Sequence, residues 1–367
     1  MTACRWRQLC ALCALMASVV TMPAQAGASC RVVAIPSLFV SQRVFAIALA
    51  AADRRTLRFW VDTDGSGFIF DDVARRYGTL MSDTGTPARA ELPRLTASAD
   101  VPSLTTHAGT LSVLRRADVV QDPIFAGLSG QLGASWLQGR VWTFDYSRGE
   151  LLWRCDGSEP DHAKSQEIPL SFARDANGHL IGGAEYPQLK VAIEGRRLLA
   201  SLDTAATVAV SKRGLEMLQG LQAVRATSFA TRALVTQWHE QHPSWRYVKN
   251  AGQQAGIDAI RVPEVSAGAV QFHDVWFTTR PDDDVFEGER EQLKLGPTAF
   301  GCCVLTVDYR RRRAIVQGWG FTAGGSSSLL QPALDGRRAC RHRFELPTTG
   351  FIGDRRTAGG ADRRACW

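Results

Sequence analysis

Asp62 and Asp203 each end an apolar run, and each is followed by a threonine and a turn of small residues. The first stretch reads Leu57-Arg58-Phe59-Trp60-Val61-Asp62-Thr63-Asp64-Gly65-Ser66-Gly67. The second reads Arg197-Leu198-Leu199-Ala200-Ser201-Leu202-Asp203-Thr204-Ala205-Ala206-Thr207. Two carboxyl groups carried by equivalent turns can be brought together, and at about 3 Å they cannot both ionise. One keeps a proton and the other gives it up, so the pair supplies a general acid and a general base at once. Such a pair can activate water without a metal ion or a covalent intermediate.

The turns must be positioned by elements that are themselves repeated. Each Asp-Thr turn leads into a second apolar run that ends at a candidate helix cap, Asp71 or Ser211. Helical patterns follow at Asp72–Gly78 and Lys212–Leu218. Further on, Leu132-Gly133 precedes Val141-Trp142-Thr143-Phe144-Asp145-Tyr146, and Leu295-Gly296 precedes Val304-Leu305-Thr306-Val307-Asp308-Tyr309. Gly133 stands twelve residues before Asp145, as Gly296 does before Asp308. Two ordered matches with the same internal spacing indicate a duplicated unit of more than a hundred residues, the size of a lobe and too long for a solenoid repeat.

From about Val44 to Val316 the chain resembles the two-lobed pepsin-like aspartic proteases, most closely their secreted bacterial relatives, with features shared with retroviral proteases. The resemblance implies an all-β fold with short helices, built as two pseudo-symmetric, barrel-like lobes. It implies Asp62 and Asp203 as the catalytic pair, with Thr63 and Thr204 tying the two loops together and Gly65, Ser66 and Ala205 supporting them. A polypeptide is the implied substrate, no cofactor or metal is called for, and a monomer is expected. The segment from Met81 to Ser112 falls where the family has a flap.

The third position of the family's Asp-Thr-Gly is Asp64 in one copy and Ala205 in the other. Asp71 lies nine residues after Asp62, whereas Ser211 lies eight after Asp203. The first loop therefore reads as one residue longer, with Gly65 as the family glycine and Asp64 bulged outward. If Asp64 instead points inward, a third carboxylate disturbs the shared proton. A non-catalytic relative that keeps the cleft and binds extended peptide is the alternative function.

Other patterns point to blander roles. Asp62 to Ile69 matches the opening of an EF-hand calcium loop, but Val73 stands where the bidentate Glu belongs. His239-Glu240-Gln241-His242 has the wrong spacing for a zinc-protease helix, and Ser129 lacks a nucleophile-elbow context. Asp145 and Asp308 read as strand-end caps, and Asp282 to Asp284 and Arg310 to Arg313 as solvated turns. Leu189 to Ile193 predicts a hairpin strand turning at Glu194-Gly195, Ser228 to His242 a helix, and Val270 to Phe277 a strand.

The net charge of +7 comes from 43 basic and 36 acidic residues, with much of the excess beyond residue 318, and it makes no nucleic-acid footprint. Arg5 and Arg7, the apolar run from Leu9 to Val20 and the Ala24-Gln25-Ala26 site read as a signal peptide over residues 1–26. No later run is long enough for a stable membrane anchor, so a periplasmic or secreted protein is expected. Lobes are expected at 29–155 and 167–317, a linker at 156–166, and a disordered tail rich in Gly, Ser and Arg at 318–367. Six cysteines remain after signal removal, and in an exported chain an even number favours disulfides.

Overall fold

The computed structural model describes residues 32–318, apart from 42, 52, 83–87, 94–101, 103–109, 120, 161–164, 219–221, 281–290 and 302. The protein is mostly β and two-lobed, and the same strand plan is written twice. In the first lobe the hairpin Val44–Ala50 and Thr56–Val61 delivers the chain to Asp62. Strand Gly130–Leu132 runs parallel to its second arm, pairing Val61 with Leu132. In the second lobe the hairpin Pro187–Ile193 and Arg196–Leu202 delivers Asp203, and Glu291–Leu295 runs parallel beside it, pairing Leu202 with Leu295. The turn between these arms is made by Glu194 and Gly195 at φ 48° and 74°, as the sequence suggested.

Each parallel pair is completed by one more strand, Phe68–Phe70 or Ser228–Thr231, running antiparallel to 130–132 or 291–295. That strand pairs in parallel with Leu111–Leu114 or Val270–Arg280. The chain thus passes close behind its own Asp turn in both lobes. A Cβ on Gly133 would strike the Gly65 carbonyl and stand 2.6 Å from the Gly67 nitrogen. A Cβ on Gly296 would strike the Thr227 carbonyl and stand 2.7 Å from Ala206 Cβ. The repeated Leu-Gly is a requirement for close backbone approach.

A third sheet joins the lobes, in the order 32–35, 150–154, 141–145, 304–308, 313–317 and 165–169. Its centre is the antiparallel pairing of the two Thr-x-Asp-Tyr strands, where Thr143 faces Thr306 and their hydroxyls lie 2.8 Å apart. Asp145 and Asp308 cap the turns that follow, accepting the N–H of Arg148 and Arg311 at 3.0 Å. One contiguous core runs through both lobes and under this sheet, with Phe45, Phe59, Trp142, Phe144, Phe277, Phe300 and Tyr309 buried in it.

Several sequence expectations change. Ser228–Thr231 is a fully buried strand, and the helix starts only at Arg232, capped where Thr231 Oγ1 accepts the Leu234 N–H at 3.3 Å. Burial in the sheet overrides the helical periodicity there. The helix Lys212–Leu218 does start after a Ser211 cap, whose Oγ accepts the Gly214 N–H at 2.9 Å. It is not, however, the counterpart of Asp71–Arg76. It belongs to an excursion over 207–226, flanked by the paired strands Thr207–Ala209 and Val224–Ala226 and closed where the Thr227 N–H donates to the Ala206 carbonyl at 3.0 Å. By strand order, the partner of Phe68–Phe70 with its helix Asp71–Arg76 is Ser228–Thr231 with Arg232–Gln241. The loop-length comparison between Asp71 and Ser211 therefore joined elements that are not equivalent.

The arginine run is engaged as well as exposed. Arg311 pairs with Asp308 at 3.1 Å and Arg313 with Glu167 at 2.6 Å, while Arg310 Nε donates to the Gly139 carbonyl at 2.9 Å. Cys155 is disulfide-bonded and Cys303 is not part of a disulfide. Residues 1–26, the 319–367 tail, Asp282 to Asp284 and most of the 81–112 segment lie outside the described residues. Among the described residues, no helix is long and apolar enough to cross a membrane.

Candidate active site

Both Asp turns are held from behind by the parallel strands. The Asp62 N–H donates to the Leu132 carbonyl and the Asp203 N–H to the Leu295 carbonyl, each at 3.0 Å. The threonines then lock one turn to the other. The Thr63 N–H donates to Thr204 Oγ1 and the Thr204 N–H to Thr63 Oγ1, both at 3.1 Å. Each hydroxyl also donates onward, Thr204 to the Val61 carbonyl at 2.9 Å and Thr63 to the Leu202 carbonyl. A hydroxyl that accepts one hydrogen bond and donates another is needed at both positions, and both side chains are fully buried.

This lock brings the carboxyl groups of Asp62 and Asp203 within hydrogen-bonding reach of each other. Asp203 is 6% exposed, and Asp62 is partly buried. Asp62 Oδ1 accepts the Asp64 N–H at 2.8 Å, and Asp203 Oδ1 accepts the Ala205 N–H at 3.0 Å. Burial pushes the Asp62 pKa up to about 7, helped by the charge on Asp64 and opposed by the Asp64 N–H, Lys294 and the contact with Asp203. Burial likewise pushes Asp203 up to about 7, helped by Asp62 and opposed by Lys294, the Ala205 N–H and Arg280. Titration belongs to the pair, which keeps a proton into the neutral range.

Asp64 does not bulge outward. Its backbone occupies the same role as Ala205, and its side chain is 3% exposed, in an ion pair with Lys294. Lys294 is 6% exposed and lies 3.9 Å from Glu291, whose carboxylate accepts from Gln188 Nε2 at 3.4 Å. Burial works against the Lys294 charge, but Asp64, Glu291 and Asp203 outweigh it and raise its pKa. Burial raises the pKa of Asp64, and Lys294 opposes the rise. A cation waiting at the interface is what permits Asp64 to turn inward.

Gly65 sits directly against the first carboxyl, where a Cβ would stand 2.5 Å from Asp62 Oδ2. The demand for glycine is real, but it falls one residue after the N–H that Asp62 accepts. Ala205 is buried, its methyl accommodated. Ser66 is exposed, and its carbonyl accepts the Ser135 hydroxyl at 3.2 Å. The calcium reading fails on geometry, because the first and third carboxylates of that loop face Asp203 and Lys294 and do not converge on one centre.

Lys294, Glu291, Gln188 and Arg280 had no part in the sequence reading. The available signal was a polar residue immediately before each Leu-Gly, Gln131 in one copy and Lys294 in the other. A cavity of about 400 Å³ opens between the lobes, lined by Asp122 and Ile124 on one side and Val208, Gln253, Ile257 and Arg280 on the other. Neither carboxyl lines it, and Arg280, whose charge acts on Asp203, is the link between the two.

The chain is thus a two-lobed, mostly β protein with one carboxyl from each lobe meeting between them. No family model matches it, and no curated protein does. Among solved structures it is similar to basic 7S globulin from soybean, at 10% identity and a TM-score of 0.43, covering 78% of this chain and 94% of that one. It is similar to conglutin gamma, a basic 7S globulin from lupine seeds, at 10% identity and 0.43, covering 78% and 95%. The edgp structure matches at 9% identity and 0.40, covering 79% and 95%. Values this low bear on neither activity nor ligand.

Proposed function

We propose that the protein is an aspartic-type peptidase related to the pepsin-like and retroviral enzymes, acting outside the cytoplasm on polypeptide. The observation that carries this reading is the pair of carboxyls within hydrogen-bonding reach on two reciprocally tied turns. In the one-proton state, the ionised member takes a proton from a water held between the two. The resulting oxygen nucleophile attacks the peptide carbonyl, while the protonated member donates to the carbonyl oxygen. Proton transfer to the amide nitrogen then lets the C–N bond break, returning one acid and one base. A substrate strand would enter between the lobes, on the side where Arg280 lines the 400 Å³ cavity and acts on Asp203.

The second reading is an exported peptide-binding protein that retains the cleft without the chemistry. It is favoured by the buried Lys294–Asp64 ion pair next to the carboxyls. Incubation with an unstructured protein between pH 3 and 7, with and without a transition-state-mimicking peptide inhibitor, separates the two. Inhibitor-sensitive cleavage supports the peptidase; saturable peptide binding without cleavage supports the binder.

A further inference from the structure

The ion pair between Asp64 and Lys294 spans the same gap as the two carboxyls. Asp64 comes two residues after Asp62 in the first lobe. Lys294 lies on the strand paired with Arg196–Leu202, opposite Ser201 and two residues before Gly296. Both side chains are almost fully buried, and the peptide N–H of Asp64 is the one that Asp62 Oδ1 accepts. An apolar pair of similar shape would hold this interface at least as well, because desolvating two ions offsets most of their attraction. The ions are therefore poorly explained as glue and better explained by what stands next to them.

We propose that Lys294 is a positioning residue for the Asp62–Asp203 pair: by anchoring Asp64 across the interface it fixes the N–H presented to Asp62, and its charge lets one member of the pair ionise in a site that also buries Asp64 and Glu291. The inference rests on reading Asp62 and Asp203 as a working pair. The charged groups acting on that pair are Asp64, Lys294 and Arg280, with Glu291 behind Lys294, and the buried phenols of Tyr146 and Tyr309 lie nearby. Lys294 lowers the pKa of both Asp62 and Asp203, whereas Asp64 raises that of Asp62. The two members of the ion pair thus push the carboxyls in opposite directions.

That opposition is testable without turnover. Carboxyl-¹³C aspartate is introduced, the Asp62 and Asp203 signals are assigned with Asn variants, and their titration midpoints are followed by NMR. Lys294→Gln is expected to raise the midpoints by about one pH unit or more, and Asp64→Asn to lower them by a similar amount. The double variant should return to within about half a unit of the unaltered protein, and Lys294→Arg, which keeps the charge, should stay near it. Unmoved midpoints in either single variant, or shifts of the same sign in both, overturn the proposal. If Lys294→Gln does not fold, Asp64→Asn decides alone: a lowered midpoint supports the proposal, and an unmoved or raised one overturns it. Opposite shifts in a protein that cleaves no polypeptide would sink the peptidase reading and leave the electrostatic coupling standing.

Discussion

Thr63 and Thr204 each donate a backbone N–H to the other's hydroxyl at 3.1 Å, so the two Asp turns are bonded to each other before any ligand is present. The reciprocity follows from duplication: the same Asp-Thr turn approached from two sides can satisfy itself. It also makes the turns interdependent, because removing one hydroxyl strands groups on both.

Thr204→Val should therefore cost more than an average hydrogen bond. It leaves the buried Thr63 N–H without an acceptor and the Val61 carbonyl without a donor. A loss of about 2–4 kcal/mol is expected from two unsatisfied buried groups. Urea unfolding of the variant against the unaltered protein measures it, and a loss below about 0.5 kcal/mol would mean the lock is not structural.

The raised pKa values of Asp62 and Asp203, about 7 against 3.8, set a sign for the pH dependence of stability. Between those values the folded state binds more protons than the unfolded chain. Their contribution is fully present below about pH 4 and is lost as pH rises toward 7 and above. Unfolding free energy should fall by a few kcal/mol from pH 4.5 to pH 7.5 through this pair. Asp203→Asn should flatten that slope and be the more stable protein at pH 7.5, which denaturant titrations at the two pH values would read directly.

Gly296→Ala is expected to be among the costlier single-methyl additions in the chain. Its methyl would meet the Thr227 carbonyl and Ala206, both fixed by the hydrogen bond that closes the 207–226 excursion. Overpacking against backbone that cannot yield costs about 1–3 kcal/mol. Gly268→Ala provides the control: a Cβ there meets nothing within 4 Å, although φ is +61°. Strain at Gly268 should cost about 1–2 kcal/mol in stability, while only Gly296→Ala should also disturb the carboxyl pair, seen as a change in its titration.

Much of the fold was legible because it was written twice. The Asp-Thr turns, the Leu-Gly approach and the Thr-x-Asp-Tyr strands are short motifs with fixed spacing, and each proved to have a structural role repeated in both lobes. What escaped were relations that depend on a partner far away in sequence. The inward turn of Asp64 is decided by Lys294, 230 residues later, and no local pattern near residue 64 reveals that cation. Ser228–Thr231 looked helical because the helix that follows it shares its periodicity, and only the flanking strands make it a sheet element. The excursion over 207–226 misled for a similar reason: a well-capped helix at the expected distance stood in for the true counterpart further on.

The central claim is that Asp62 and Asp203 act as one acid–base unit. It is tested by kcat/KM for cleavage of an unstructured polypeptide by the unaltered protein, Asp62→Asn and Asp203→Asn, at the pH of maximal activity. Each Asn variant leaves one carboxyl, which cannot be acid and base in the same turnover, so the account predicts a loss of about 10³-fold or more in both. Activity within tenfold of the unaltered protein in both variants would contradict it.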